Sequence, residues 1–530
     1  GKFSIMKLKN VFACAAFATL MVANVGAQEA PQLGKASLDE VIQAMTLEEK
    51  VSLLVGSAGK FNSDQTATIG SQGELVPGAA GETNAIPRLG IPATVLADGP
   101  AGVRISPTRD NTSQTFYCTH FPVETLLAST WNTELVQQVG EAMGEEAKRY
   151  GVDVLLGPAT NIHRNPLNGR NFEYMGEDPY LASRMCVPYI QGVQENGVAA
   201  CVKHYALNNQ EHWRNHIDVQ VSDRALYEIY LPAFKAAVTE GKVWSIMGAY
   251  NKVRGTHAAH NKLLNNDILK GEWNFDGCVV TDWGAAHDTY EAAMNGLDLE
   301  LGTYTNGLTS NSNQGYDSYY LGSAYLNMVK EGKVPMSVVD DKASRVLRLI
   351  FRTAMNEDGK FGAMSNDSHY ETAYEIATEG IVLLKNKAAF KGESLLPLKQ
   401  GQYKHILVVG DNAVRNLMAG GGSSELKPKM VITPLEALVD KLGSDCVTFS
   451  QGYMASRPMF DRADVISQSV ADSLYNAAIE EARKADLVIF MGGLNKNYQQ
   501  DCEGEDRRAY ELPYGQDRLI EGLLKANKKL

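Results

Sequence analysis

From about residue 90 to residue 350 the chain alternates short apolar runs with longer amphipathic stretches. The runs Ala93–Ala97, Val152–Gly157, Val198–Lys203, Trp244–Ala249, Gly277–Thr281 and Leu297–Leu301 read as strands buried on both faces. Between them, apolar residues recur at helical spacing. Leu135, Val139, Met143 and Ala147 share one face of a helix that Asn132 caps and Gly151 closes. Arg224 to Thr239 predicts another, with Leu226, Ile229, Tyr230 and Phe234 on its apolar face. Strand–helix units of this length predict a parallel sheet, either open and doubly wound or closed as a (β/α)8 TIM-like barrel.

The polar residues that follow the strands decide between these two. Asp98, Lys203-His204, Tyr250 and Asp282 each stand at or just past the end of a different apolar run. An open sheet focuses its ligand at one switch point, whereas a barrel gathers groups from all its strands at one rim. The distribution favours the barrel. Val346–Phe351 reads as part of a last packing helix, and a polar stretch beginning at Asn356 reads as a linker. A second α/β unit follows, with strands expected at Ile381–Leu384, Ile406–Val409 and Leu487–Met491. The predicted division is residues 1–27 as a leader with upstream residues, 36–355 as the barrel, 356–378 as the linker and 379–530 as an αβα sandwich. The chain stops just after the helical pattern Asp517 to Ala526, so the sandwich is expected to be truncated at its C-terminal side.

Length and composition agree with this division. A chain of 530 residues exceeds one core, and 44% hydrophobic with 21% charged residues is ordinary for a globular protein. A formal net charge of −12 leaves no basic stripe for nucleic acid. Val409-Gly410-Asp411 looks like the first turn of a nucleotide fold, but no G-x-G-x-x-G or P-loop follows it. Met6-Lys7-Leu8-Lys9, the apolar stretch Val11 to Val25 and the small residues Val25-Gly26-Ala27 predict a signal peptide. The mature protein is therefore expected to be exported, periplasmic or extracellular, and free of the membrane after cleavage. Cys14 lies inside the apolar stretch, which disfavours a lipoprotein. Cys118, Cys186, Cys201, Cys278, Cys446 and Cys502 are widely dispersed and read as small buried hydrophobes, with room for one disulfide. The histidines lack ligand spacing, so neither metal nor cofactor is expected. Nothing in the sequence speaks to oligomeric state.

Cys278-Val279-Val280-Thr281-Asp282-Trp283 ends an apolar strand on a carboxylate and an indole. Such an Asp suits attack on a sugar ring that the indole covers. Glycoside hydrolysis with retention needs a second carboxylate about 5 Å away. The acidic cluster Asp501-Cys502-Glu503-Gly504-Glu505-Asp506-Arg507 offers one from the second unit.

Several stretches, in one order, carry a family resemblance. They are Leu96–Arg104 with Asp98-Gly-Pro, Gly169-Arg170-Asn-Phe-Glu173 with Glu177-Asp178-Pro179, Lys203-His204, Met247-Gly-Ala-Tyr250-Asn251 and Val280-Thr-Asp282-Trp283. In the second unit they are Gly420-Gly-Gly-Ser423-Ser424 and Glu503-Gly-Glu-Asp506-Arg507. From Leu38 to its end the chain resembles glycoside hydrolase family 3. The resemblance implies a sugar held between a barrel and an αβα sandwich. It implies Asp282 as the nucleophile and Glu503, in preference to Glu505, as the acid/base. It further implies Asp98 on the hydroxyls farthest from the scissile bond, with Arg104, Arg170, Lys203, His204 and Arg214 around the others. Met247 and Tyr250 would pack near the nucleophile, Trp283 would form the pocket floor, and Ser423 would add a polar contact from the second unit. Glu173, Glu177 and Asp178 read as structural.

Asp98 in an Asp-Gly-Pro context resembles the β-glucosidase branch, whose substrates are β-glucosides and β-linked gluco-oligosaccharides. A β-xylosidase, a broad exo-β-glucanase and an inactive truncated sugar-binding fragment remain as alternatives.

Overall fold

A computed structural model describes residues 30–56, 75–302, 319–356, 362–387, 394–455 and 466–530. The predicted signal peptide lies outside the described residues. Twelve short strands are described, β1 (Gly81–Glu82), β2 (Val95–Asp98), β3 (Val154–Leu156), β4 (Ala199–Tyr205), β5 (Asp218–Val219), β6 (Ser245–Gly248), β7 (Lys252–Val253), β8 (Thr256–His257), β9 (Cys278–Thr281), β10 (Ile406–Val409), β11 (Val447–Ser450) and β12 (Leu487–Phe490). The main sheet has the order β1-β2-β3-β4-β6-β9, antiparallel between β1 and β2 and parallel thereafter. Eight parallel strands are thus not what the described residues form. The expected strand Leu297–Leu301 is reduced to single bridges, Val280 with Leu299 and Val55 with Glu300, and Gly56 bridges back to Thr83 beside β1. Parallel pairing places the C-terminal ends of β2, β3, β4, β6 and β9 on one rim, with Asp98 opposite Leu156 and Gly248 opposite Thr281.

The helices follow the sequence rules closely. Thr133–Tyr150 begins where the Asn132 side chain accepts the Leu135 N–H at 3.1 Å, and ends at Gly151 with φ 86°. Leu135, Val139, Met143 and Ala147 all face the core. The helix expected over Arg224 to Thr239 is broken by Pro232, which has no N–H to donate and crowds the preceding turn. A π-helical turn over Leu226–Tyr230 absorbs the misfit, and this rotates Ile229 out to solvent, against expectation.

In the second unit β11, β10 and β12 pair in parallel, in that order. Leu407 and Val409 face helices Gln468–Lys484 and Gln516–Ala526, while Ile406 and Val408 face Leu438 and Leu442 of helix Pro434–Leu442. Both faces of this small sheet are therefore covered, as the αβα reading requires. Two expectations fail nearby. Helix Asp367–Gly380 takes up residues 367–378 of the predicted linker and runs two residues past its end; it is capped by Asn366 and docked on helices Glu124–Ser129 and Thr133–Tyr150. Ile381–Leu384 is not a strand, and its side chains are 62–91% exposed, because no neighbouring ladder pairs with it. No cysteine among the described residues is in a disulfide.

Candidate active site

At the rim, Asp282 directly follows β9, and its N–H bonds to Gly248 O of β6 at 2.9 Å. Its Oδ1 accepts the Trp283 N–H at 2.8 Å. Its Oδ2 is buried without a hydrogen-bond partner, 3.6 Å from His204 Nε2. A buried carboxylate oxygen left open in this way has a lone pair free for chemistry. Tyr250 Oη donates to the Trp283 main-chain O at 3.1 Å, and Trp283 Nε1 donates to Ala80 O at 3.0 Å, so the residue is held at its backbone and its indole at Nε1. Met247 lies buried in β6 beneath this rim.

Three cations, Lys203 and Arg170 buried and Arg214 mostly covered, organise the opposite side. Lys203 Nζ lies 2.8 Å from Asp98 Oδ1 and 3.3 Å from Glu173 Oε1. Arg170 grips Glu173 with two bonds of 2.7 Å and approaches Glu503 Oε1 at 3.8 Å. Arg214 donates to Glu211 Oε2 at 2.6 Å and to Glu503 Oε1 at 2.8 Å, with its guanidinium 4.4 Å above the Tyr250 ring. Glu503 thereby reaches the rim of the main sheet from the second unit. Its Oε2 accepts the Ser423 N–H at 2.7 Å, and Arg104 donates to Ser423 O at 2.5 Å. Every residue that the sequence placed in the site is found within this connected group, except that Met247 only underlies it.

The loop that carries Glu503 is pinned by close backbone approach. The residue pair Gly421 and Cys502 bridges, and the Glu503 N–H bonds to Gly421 O at 2.8 Å. Asp506 accepts backbone N–H groups of Gly169 at 3.0 Å, Glu211 at 2.8 Å and His212 at 3.3 Å. A Cβ on Gly169 would lie 2.1 Å from Glu505 O, so only glycine admits the loop there. Glu505, the competing acid, instead accepts from His212 Nδ1 at 2.8 Å and stands outside the Arg170–Arg214 group.

Charges at the site are set by burial against these pairs. His204 is driven well below its ordinary value, first by burial and then by Arg170 and Lys203, so it is neutral. Tyr174 Oη accepts from Asn208 Nδ2 at 3.3 Å and so donates to His204 Nδ1 at 3.1 Å, an assignment that leaves the imidazole proton on Nε2, facing Asp282. Burial pushes Lys203 down, but Asp98 and Glu173 outweigh it and its affinity for the proton rises. Asp282 is raised by burial, against the pull of Arg214 and Arg170. Burial also raises Glu503, but Arg170 and Arg214 outweigh it and hold this carboxyl well below its usual range. In this arrangement they act more strongly on Glu503, because Arg214 is bonded to it and reaches Asp282 only through space.

Three acids were missed or undervalued. Glu173 was read as structural, yet it joins Arg170 to Lys203. Glu211 and Asp506 tie the two units together. The spacings Arg170-x-x-Glu173 and Glu211-x-x-Arg214 were the available signals, since residues three apart in a tight turn meet. Asp178 is structural as expected, capping helix Pro179–Gln194, and Glu177 is exposed.

A carboxylate from each unit thus meets the other's across Arg170 and Arg214 at a strand-end rim. Residues 53–349 match the Glycosyl hydrolase family 3 N terminal domain, and residues 381–530 match the family's C-terminal domain. The chain belongs to glycosyl hydrolase family 3. Beta-glucosidase BoGH3A of Bacteroides ovatus is 64% identical over 497 residues, covering 93% of this chain and 64% of that protein. An exo-alpha-(1->6)-L-arabinopyranosidase of Bifidobacterium breve is 34% identical over 504 residues, covering 92% of this chain and 59% of that protein. The chain therefore spans less than two thirds of the length of these family 3 relatives. Among solved structures, beta-glucosidase 3B from Thermotoga neapolitana in complex with glucose superposes with a TM-score of 0.77 at 35% identity, covering 92% of this chain and 67% of that one.

Among the described residues no group of three or more His, Cys, Asp or Glu side chains is placed to hold a metal ion. No described helix is long and apolar enough to cross a membrane.

Proposed function

We propose that this chain carries the catalytic site of an exported, retaining, exo-acting β-glucosidase that releases terminal non-reducing β-D-glucose. The observation that carries the reading is the meeting of Asp282, open at Oδ2, with Glu503, which reaches the rim from the second unit through Arg170 and Arg214. The name of the 64% identical relative and the glucose complex of a solved neighbour support glucose as the sugar. In this reading the main sheet closes through the Leu299, Glu300, Val55 and Gly56 bridges into a barrel, and the second unit caps its mouth.

Asp282 Oδ2 attacks the anomeric carbon as Glu503 transfers its proton to the leaving oxygen, so that the glycosidic bond breaks while the Asp–sugar ester forms. Glu503, now a carboxylate, takes a proton from water. The hydroxide attacks the anomeric carbon and releases Asp282, and two inversions give net retention. The Trp283 N–H holds the nucleophile by its Oδ1 while His204 Nε2–H faces Oδ2, and Lys203 holds Asp98 ready to accept sugar hydroxyls. Glu503 starts the cycle protonated, so the Arg214 contact has to weaken when substrate enters.

Hydrolysis of aryl β-glucosides by the whole protein and its Asp282→Ala, Glu503→Ala and Glu505→Ala forms tests the assignment. The first two substitutions are expected to lower kcat about a thousandfold or more on substrates with poor leaving groups, and the third only slightly. Full activity in Glu503→Ala with loss in Glu505→Ala would move the acid role. NMR sampling of product before mutarotation is expected to show β-glucose, and α-glucose appearing first would exclude the route through Asp282. The arabinopyranosidase among the relatives favours including α-L-arabinopyranosides, with β-xylosides, in the substrate panel.

A further inference from the structure

Glu211 is the most enclosed carboxylate at the junction between the two units, and the mechanism above gives it no task. Its side chain is fully buried. One oxygen, Oε2, accepts from Arg214 at 2.6 Å and from the Gly504 N–H at 2.8 Å. The other, Oε1, has no hydrogen-bond partner. Gly504 directly follows Glu503, so this single carboxylate touches both the loop that carries the candidate acid and the guanidinium that binds it. Asp506 completes the clamp from the other side through the N–H groups of Gly169, Glu211 and His212.

A count of charge gives the arrangement a second meaning. Arg104, Arg170, Lys203 and Arg214 share the junction with Asp98, Glu173, Glu211, Asp282 and Glu503, through ion pairs or direct electrostatic influence. Four of these groups are cations and five are carboxylates, and the buried Glu124 beside Glu173 and Lys203 adds a further acid; a dry cluster with acids in excess favours taking up a proton. The groups facing Glu211 are Arg214, Arg170, Glu503, Tyr174 and Cys502.

We propose that Glu211 is a positioning residue for the acid/base Glu503: it fixes the 501–507 loop through the Gly504 N–H and, by sharing Arg214, keeps a proton available to Glu503. This rests on the reading of Glu503 as the acid. Without the Glu211 charge the excess of acids shrinks by one, and Arg214 turns its whole charge on Glu503. The proton is then held less tightly, and the basic limb of the pH profile moves to lower pH.

The test uses the whole protein, with β-glucosides of graded leaving-group ability. In Glu211→Gln, kcat/KM is expected to fall about 100-fold for cellobiose, which needs a placed proton, and less than about threefold for 2,4-dinitrophenyl β-glucoside, which does not. The basic limb should shift down by about one pH unit. Equal losses on both substrates with an unmoved limb would make Glu211 merely structural and overturn the proposal. Glu503→Ala measured alongside separates the two readings. If it lacks leaving-group dependence, Glu503 is not the acid; if it shows that dependence and Glu211→Gln does not, only the present proposal falls. Should Glu211→Gln not fold, Glu211→Asp keeps the charge and shortens the reach. A leaving-group-dependent loss with an unmoved limb is then expected, and a uniform loss would overturn the proposal.

Discussion

Lys203 shows what one side chain does in this fold. It is almost wholly enclosed and joins Asp98 of β2 to Glu173 of the Asn171–Glu173 turn, so its removal leaves the buried Asp98 carboxylate without its ion-pair partner. Breaking one member of such a buried group costs far more than the group contributes as a whole. Lys203→Met is therefore expected to cost about 3–5 kcal/mol in urea unfolding. Glu503 makes a pH-dependent contribution. Its carboxyl is held below the ordinary 4.5, so its ion pairs stabilise the fold in full above that value and fade as pH falls through the depressed range. The Tm deficit of Glu503→Gln should be largest near neutral pH and narrow below about 4.5. A deficit constant with pH would show that the carboxylate carries no net pairing energy.

Among the elements, the loops matter more than the strands for the site. Gly169 lets the 501–507 loop pass over the rim of the main sheet at a distance no Cβ permits, with Glu505 O and Cys502 O at 2.1 and 2.4 Å from the position a methyl would take. Gly169→Ala is expected to lower kcat/KM about 100-fold by displacing Glu503, with unfolding changed by only about 1–3 kcal/mol. Loss of stability without loss of activity would place the strain elsewhere. The strands and most helices were legible in the sequence because each is decided by local pattern: buried runs of four or five residues, Asn132 before an amphipathic face, Gly151 after it. The exceptions share a cause. Ile381–Leu384 has strand composition, but a strand exists only where another ladder receives it. The turn at Leu226–Tyr230 depends on how Pro232 settles against its neighbours. The helix at Asp367–Gly380 is polar, and what holds it is its docking beside Glu145 and Glu146, both of which contact His369.

At the scale of the molecule, the second unit does not merely follow the first. Leu426 comes from the loop after Ser423, yet it is buried in the core of the first unit, against Gly102. Leu426→Ala and Leu523→Ala should each cost about 2–5 kcal/mol by leaving a cavity. Only the former is expected to depress kcat/KM at temperatures where both variants are folded, because Leu523 belongs to the second unit's own core. Equal activity in the two would mean that the junction is held by its polar contacts alone. The sequence by itself determined the alternation of strands and helices, the C-terminal strand ends that carry Asp98, Lys203 and Asp282, and the motif residues of the family, since local pattern and residue type suffice for each. Only the tertiary structure decided which carboxylate the arginines hold. Arg214 lies nearly 300 residues from Glu503, and its choice of Glu503 over Asp282 follows from the packing of a distant loop, whereas its pairing with Glu211 is local. Asp282 began as one acid at the end of one strand. Its proton balance belongs to a cluster that two separate stretches of chain build together.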